Sequence, residues 1–337
     1  MTQIPGSNDL LLGTYFGRVF RLNTDERTAA LAFQGPDGKR EFKRGIDGTK
    51  IAVSNDGQIA ASTWTKGEIE IWKLEDGSHI RTLPGLSESS MFSGPQATCI
   101  HPSQKQLVIT DFEGRLHVWD LTDSRSKKPA YSIQGPQLAT GLQYSNDGKH
   151  LVQAGQEWNS QSVVVWRTKD YTQAADLSVH KRVPTIDGGA SAQALDARYS
   201  PDGKWLATCG SDATVRLWRV PNNKDAVPAK YEPVATLSTL TLDGFFKAKN
   251  AVKNTGNAGL VKTWLNCVAF SKDSKRLAVC GNEGPVYTYD IATIVQQSQA
   301  SSAKQLKTVQ SEMGLQILND RPIPIETLQL KPIKKPQ

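Results

Sequence analysis

The residues best suited to chemistry are few and scattered along the chain. Five histidines (His79, His101, His117, His150 and His180) and four cysteines (Cys99, Cys209, Cys267 and Cys280) are the candidate ligands and nucleophiles. The histidines show no metal-ligand spacing, and neither H-E-x-x-H nor G-x-S-x-G occurs. His101 stands where related segments have Ser before a turn, so a turn role is expected of it. The cysteines lie far apart with no C-x-x-C pair, and three of them read as small apolar residues of strands, so neither a disulfide nor a zinc framework is expected. GNAGLVKT (256–263) approaches a phosphate-binding loop. Val261 stands where the second glycine must let the backbone wrap phosphate, and no apolar strand precedes it. No catalytic residue, metal or cofactor is expected.

What remains is charge and aromatic surface. The 337 residues carry a net charge of +7, and its source is local. GFFKAKNAVKNTGNAGLVKTW (244–264) holds Lys247, Lys249, Lys253 and Lys262 beside Phe245 and Phe246, without an acid. The tail 331–337 holds three more lysines. Lysines interleaved with aromatics can hold an anionic partner, RNA included. A lysine-rich loop is also simply well solvated, and Arg, the better phosphate reader, is absent from this one.

The elements that must position these residues repeat. GRVFRL, GEIEIW, GRLHVW, QSVVVW, ATVRLW and GPVYTY end at Leu22, Trp72, Trp119, Trp166, Trp218 and Tyr289, spaced 50, 47, 47, 52 and 71 residues apart. Each alternates apolar with polar residues, as a half-buried strand does. Upstream of five copies stands a turn: VSNDGQIA, HPSQKQLV, YSNDGKHL, YSPDGKWL and FSKDSKRL. Asp-Gly and Pro-Asp-Gly give the backbone geometry of a tight hairpin. A further short apolar run follows the aromatic, as in HIRTL (79–83) and PVATL (233–237). Each unit therefore reads as four short strands, a to d.

Units of this length that end in Trp or Trp-Asp resemble the WD40 repeat. Trp119-Asp120 and Tyr289-Asp290 keep the family dipeptide, while the family's Gly-His dipeptide is missing from every unit. The resemblance implies an all-β fold, a β-propeller of four-stranded blades, with six blades expected and seven the alternative. Stacked blades bury sheet faces that one blade leaves open. Trp72, Trp119, Trp166, Trp218 and Tyr289 then pack between blades, with Asp120 and Asp290 structural. The first unit shows strands b, c and d but no a, and IPIETLQLKP (323–332) has no unit of its own. It is expected to close the ring, Ile325–Leu330 pairing with Leu10–Gly13. A single domain over 1–337 follows, with a long d–a insertion at 238–263 and a basic tail at 331–337.

In such a fold b–c turns and d–a loops share one face. Three long connections (84–96, 179–191 and 238–263) are all d–a, and the b–c turns carry Tyr15, Phe16, Trp64, Phe112 and Trp158. With Phe245 and Phe246, these aromatics are read as a partner-binding surface, because Trp and Tyr dominate interface hot spots. The b-strand ends near an axial site, Thr63, Thr110, Ala154, Cys209 and Cys280, offer no acid–base pair. The function expected is a non-catalytic protein–protein interaction subunit of a larger complex. An RNA-associated propeller using the lysines is the runner-up, and a propeller enzyme stands third. No apolar run is long enough to span a membrane. MTQIPGSNDL has neither basic start nor apolar stretch, so a cytoplasmic setting is expected, the nucleus being the alternative.

Overall fold

The computed structural model describes residues 2–14, 18–34, 50–63, 68–84, 95–157, 162–177, 183–184, 190–212, 214–222, 229–238, 265–281 and 286–304. Two compact units divide the chain, Met1–Leu177 and Ser178–Gln337.

The first unit holds three antiparallel four-stranded sheets and a fourth set of four antiparallel strands, and in each of the four every strand pairs with the next. The first comprises β1 (Thr2–Gln3), β2 (Leu10–Gly13), β3 (Arg18–Asn23) and β4 (Thr28–Gln34). The second comprises β5 (Lys50–Val53), β6 (Ile59–Thr63), β7 (Ile69–Lys73) and β8 (His79–Leu83). The third is β9 (Ala97–Ile100), β10 (Gln106–Thr110), β11 (Arg115–Asp120) and β12 (Tyr131–Gln134). The fourth is β13 (Gln137–Tyr144), β14 (His150–Glu157), β15 (Val163–Arg167) and β16 (Gln173–Asp176). In the second unit β17 (Val183–Pro184) pairs with β18 (Ala190–Tyr199), which leads into β19 (Trp205–Gly210), β20 (Thr214–Arg219) and β21 (Glu232–Ser238). A last sheet follows, of β22 (Leu265–Phe270), β23 (Arg276–Gly281) and β24 (Tyr287–Asp290). Helix α1 (Ile291–Lys304) continues directly from β24.

The repeated turn is one hydrogen-bonded device. Ser54, Ser145, Ser200 and Ser271 each donate a hydroxyl to the Asp two residues on, at 2.6–2.7 Å. Each serine hydroxyl also accepts the backbone N–H five residues on, which opens strand b. Gly57, Gly148 and Gly203 take the positive φ that the turn requires, at +70°, +71° and +71°, a conformation that costs glycine nothing. Gln104 and Ser274 hold the same conformation with a side chain, at +59° and +58°.

Alternation does the rest. Leu, Val, Ile and Trp side chains on facing sheets interlock into apolar clusters between the first and second sheets, the second and third, and the third and fourth. In the second unit Ala207, Cys209, Val215 and Leu217 pack on Val268, Leu277 and Val279. Trp72, Trp119 and Trp166 are buried in the clusters of the first unit, Trp218 is buried as well, and Tyr289 is half-buried. Among the described residues no helix is long and apolar enough to cross a membrane.

Two expectations are corrected. The first unit does have a strand in the a position: Thr2 pairs with Leu11 and Gln3 with Leu10, along the edge assigned above to the C-terminal segment. Ile4 N–H donates to Asp9 O and Ser7 N–H to Ile4 O, as Ser54 does with Ile59 and Gly57 with Ser54. IPGSND is thus a divergent copy of the repeated turn, hidden because Ile4 replaces its serine. The segment 323–332 itself lies outside the described residues, as does most of the insertion at 238–263 and all of the tail. The second correction is α1, which the all-β reading did not contain. Asp290 caps it, accepting the backbone N–H and the hydroxyl of Thr293 at 2.8 and 3.0 Å. Ile291 and Ile294 then turn into the core beside Ala235 and Leu237 of β21.

Candidate functional site

Of the aromatics expected on the face of the b–c turns, Phe112 lies among the described residues. Tyr15, Phe16, Trp64, Trp158, Phe245 and Phe246 fall outside them, as do Lys247, Lys249, Lys253 and Lys262. Phe112 is half-buried in the turn between β10 and β11. Its turn is braced from three sides.

The first brace is Asp111. One carboxylate oxygen accepts the Arg115 N–H at 2.9 Å, and the other accepts from His117 Nε2 at 3.0 Å. His117 Nδ1 in turn accepts the Ser132 hydroxyl at 2.8 Å. Asp, His and Ser are the residue types of an acyl-transfer triad. Here both Asp111 oxygens and both ring nitrogens are spent tying the turn to strands c and d, so the visible effect is mechanical.

The second brace is backbone. Leu138 N–H donates to Phe112 O at 3.1 Å, and Gly135 N–H to Gly114 O at 3.2 Å. Gly114 has φ +84°, and a Cβ there would fall 2.1 Å from the Pro136 carbonyl oxygen. The close approach of turn and strand therefore demands glycine.

The third is the buried amide of Gln153. Its Nε2 donates to Gly114 O at 2.8 Å and to Pro136 O at 3.2 Å, while its Oε1 accepts the Trp166 indole N–H at 3.0 Å. Beside it Thr110 accepts from Ala97 N–H and donates to Ala139 O. A fully paired amide in a low-dielectric setting holds its neighbours in one geometry. The rim of the third and fourth sheets is thus rigid, and Phe112 is presented on it.

Sequence reasoning missed these polar partners. In strand b the position facing the c-strand indole is Ser62, Gln153 or Thr208, and each accepts its indole N–H from Trp72, Trp166 or Trp218. In the third and sixth sheets that position is Ile109 or Val279. There Trp119 Nε1 and the Tyr289 hydroxyl are buried without a partner. A second histidine bridge sits on the second sheet, where His79 Nε2 meets Glu70 Oε2 and the Thr82 hydroxyl donates to the same oxygen at 2.9 Å. The signal for both bridges was present as an acid and a His near strand c, but their pairing depends on cross-strand register. His101 takes the turn role expected of it. Ser103 N–H donates to its Nδ1 at 3.0 Å, and its Nε2 donates to Gly148 O at 3.0 Å. Burial lowers its pKa from the ordinary value, against the pull of that carbonyl. Among the described residues no group of three or more His, Cys, Asp or Glu could hold a metal ion.

Known proteins resemble this arrangement. Residues 181–219, which include β18, β19 and β20, match the family described as WD domain, G-beta repeat. The β-propeller domain of Cps50 (Swd1) of Myceliophteria thermophila superposes with a TM-score of 0.59 over 87% of this chain and 81% of that one, at 16% identity. A chain of a mitotic checkpoint complex gives 0.57 over 86% and 73%, also at 16% identity. The chain has the WD40-type β-propeller fold. Among curated relatives of this propeller, the target of rapamycin complex subunit wat1 of Schizosaccharomyces pombe is 25% identical over 60% of the chain and 57% of its own length. The target of rapamycin complex subunit LST8 of Bos taurus is 29% identical over 37% and 36%. The LST8 homologue of Dictyostelium discoideum is 29% identical over 60% and 59%. The propeller spans less than two thirds of the length of each of these relatives.

Proposed function

We propose that this propeller is a non-catalytic scaffold subunit of a multi-protein complex of the target of rapamycin type, and that it meets its partners through the face of the b–c turns and d–a loops. The observation that carries the reading is the similarity to target of rapamycin complex subunits of a yeast and a mammal. The geometry supports it at Phe112, a large ring held half-exposed on a turn fixed by Asp111, Gly114 and Gln153. Anchors that are already ordered lose little entropy when a partner docks. Tyr15, Phe16, Trp64, Trp158, Phe245 and Phe246 extend the proposed surface. The comparisons lend the RNA reading no support.

The test is affinity capture of the tagged full chain from its native cells, with Phe112→Ala beside the parent. Phe112→Ala should reduce co-purified partners several-fold at an unchanged melting temperature. Equal capture by both proteins would remove Phe112 from the interface. A variant that melts far earlier would make Phe112 a core residue instead.

A further inference from the structure

Five of the described sheets place a pair of residues on one recurring rung, four residues before the repeated turn on strand a and four after it on strand b. The pairs are Lys50 with Thr63, Ala97 with Thr110, Gly141 with Ala154, Asp196 with Cys209, and Cys267 with Cys280. Only the last couples two sulfurs. The pairing is dictated by the turn. Ser271 N–H donates to Arg276 O, and from there Phe270 faces Leu277, Ala269 faces Ala278, Val268 faces Val279 and Cys267 faces Cys280. Directly opposed residues of antiparallel strands have Cα atoms about 4.5–5.5 Å apart. That falls within the roughly 4.4–6.8 Å that a disulfide spans.

The two thiols are free, and they differ from Cys209 in access. Cys209 is wholly buried, Cys280 is half-buried and Cys267 is exposed. Beside Cys267 lies Asp196, whose carboxylate is buried, accepts the Val268 N–H at 3.2 Å and pairs with Arg198 Nε at 3.0 Å. Val268 is the residue next to Cys267, so its backbone is pinned and the rung cannot slide out of register. Although the Cys267 residue is open to solvent, its thiol sits on the sheltered Asp196 side. Burial, then the Asp196 charge, pushes that thiol up to about 12, so at neutral pH Cys267 is protonated.

We propose that Cys267 and Cys280 are a modification site, closed into a cross-strand disulfide by a small-molecule disulfide oxidant. The Cys280 thiolate attacks one sulfur of the oxidant, forming a mixed disulfide and expelling one thiolate. Cys267 then loses its proton, attacks the Cys280 sulfur and expels the second. Two protein thiols are oxidised to one disulfide, and the oxidant disulfide is reduced to two thiols.

The test incubates the native full-length chain with glutathione disulfide, followed by alkylation and non-reducing peptide mapping. The expected product is a 267–280 cross-link with the mass of two lost hydrogens, together with Cys209 alkylated only after denaturation. Cys267→Ser should halt the reaction at a glutathione adduct on Cys280. A stable adduct on Cys280 in the parent, two untouched thiols at 267 and 280, or a cross-link to Cys209 would each overturn the proposal. Circular dichroism of Cys267→Ser shows whether the variant is folded. Should it be unfolded, Cys267→Ala carries the same test.

Discussion

At the scale of single residues, the polar side chains of the core decide more than their number suggests. Trp72 N–H is satisfied by Ser62 at 2.8 Å, and both residues are buried. Leaving a buried donor unpaired costs about 1–3 kcal/mol. Ser62→Ala should therefore lower stability by about that amount in a denaturant titration, and a change below a few tenths would mean that the indole finds another acceptor. The exposed turn carboxylates make a different contribution. Hydrogen bonds from a hydroxyl two residues away, and from nearby backbone, hold Asp76, Asp120, Asp170 and Asp273 below the ordinary carboxylate value. The unfolded chain titrates near 3.9. With folded values lower still, these bonds contribute fully above about pH 4 and are lost as the pH falls through the folded values. Melting temperature should drop steeply below pH 4, and less steeply in Asp120→Asn. Parallel curves for the two proteins would remove Asp120 from that effect. None of these partners could be read from the sequence, where Ser62, Ile109 and Gln153 look unrelated. Register makes them one position.

At the scale of elements, the repeated strands and the turns between them were legible, because period-two alternation and Asp-Gly turns are local signals. The two misreadings have local causes as well. IPGSND lacks the serine that marks its counterparts, so β1 was overlooked. The α1 segment follows a family-like Tyr-Asp and drew no assignment from strand periodicity, although Asp290, Ile291 and Ile294 are an N-cap and an apolar helical face. Ile294 is 3% exposed and packs with Ala235 and Leu237. Ile294→Ala should cost about 2–5 kcal/mol, as deletions in well-packed sites do. Trp218, 4% exposed at the end of β20, should cost about 3–5 kcal/mol on truncation to Ala. Unchanged melting of Trp218→Ala would break the repeat alignment. Unchanged melting of Ile294→Ala would detach α1 from the core.

At the scale of the whole molecule, the sequence was informative about architecture and nearly silent about partners. Repeated aromatics in phase specify stacked sheets, since each must be buried against a neighbour. A docking surface has no such periodicity, and of its proposed aromatics Phe112 is the one whose surroundings are described. Its bracing by Asp111, His117 and Gln153 emerges only from the folded chain. Whether the propeller works as a subunit is read most directly from its size in a gently prepared native extract. The tagged full chain should elute in size-exclusion chromatography with an assembly several times its own 36.9 kDa, and Phe112→Ala should shift part of it towards the free position. Elution of the unaltered chain at the mass of a single copy, with no co-eluting protein, would contradict the scaffold function.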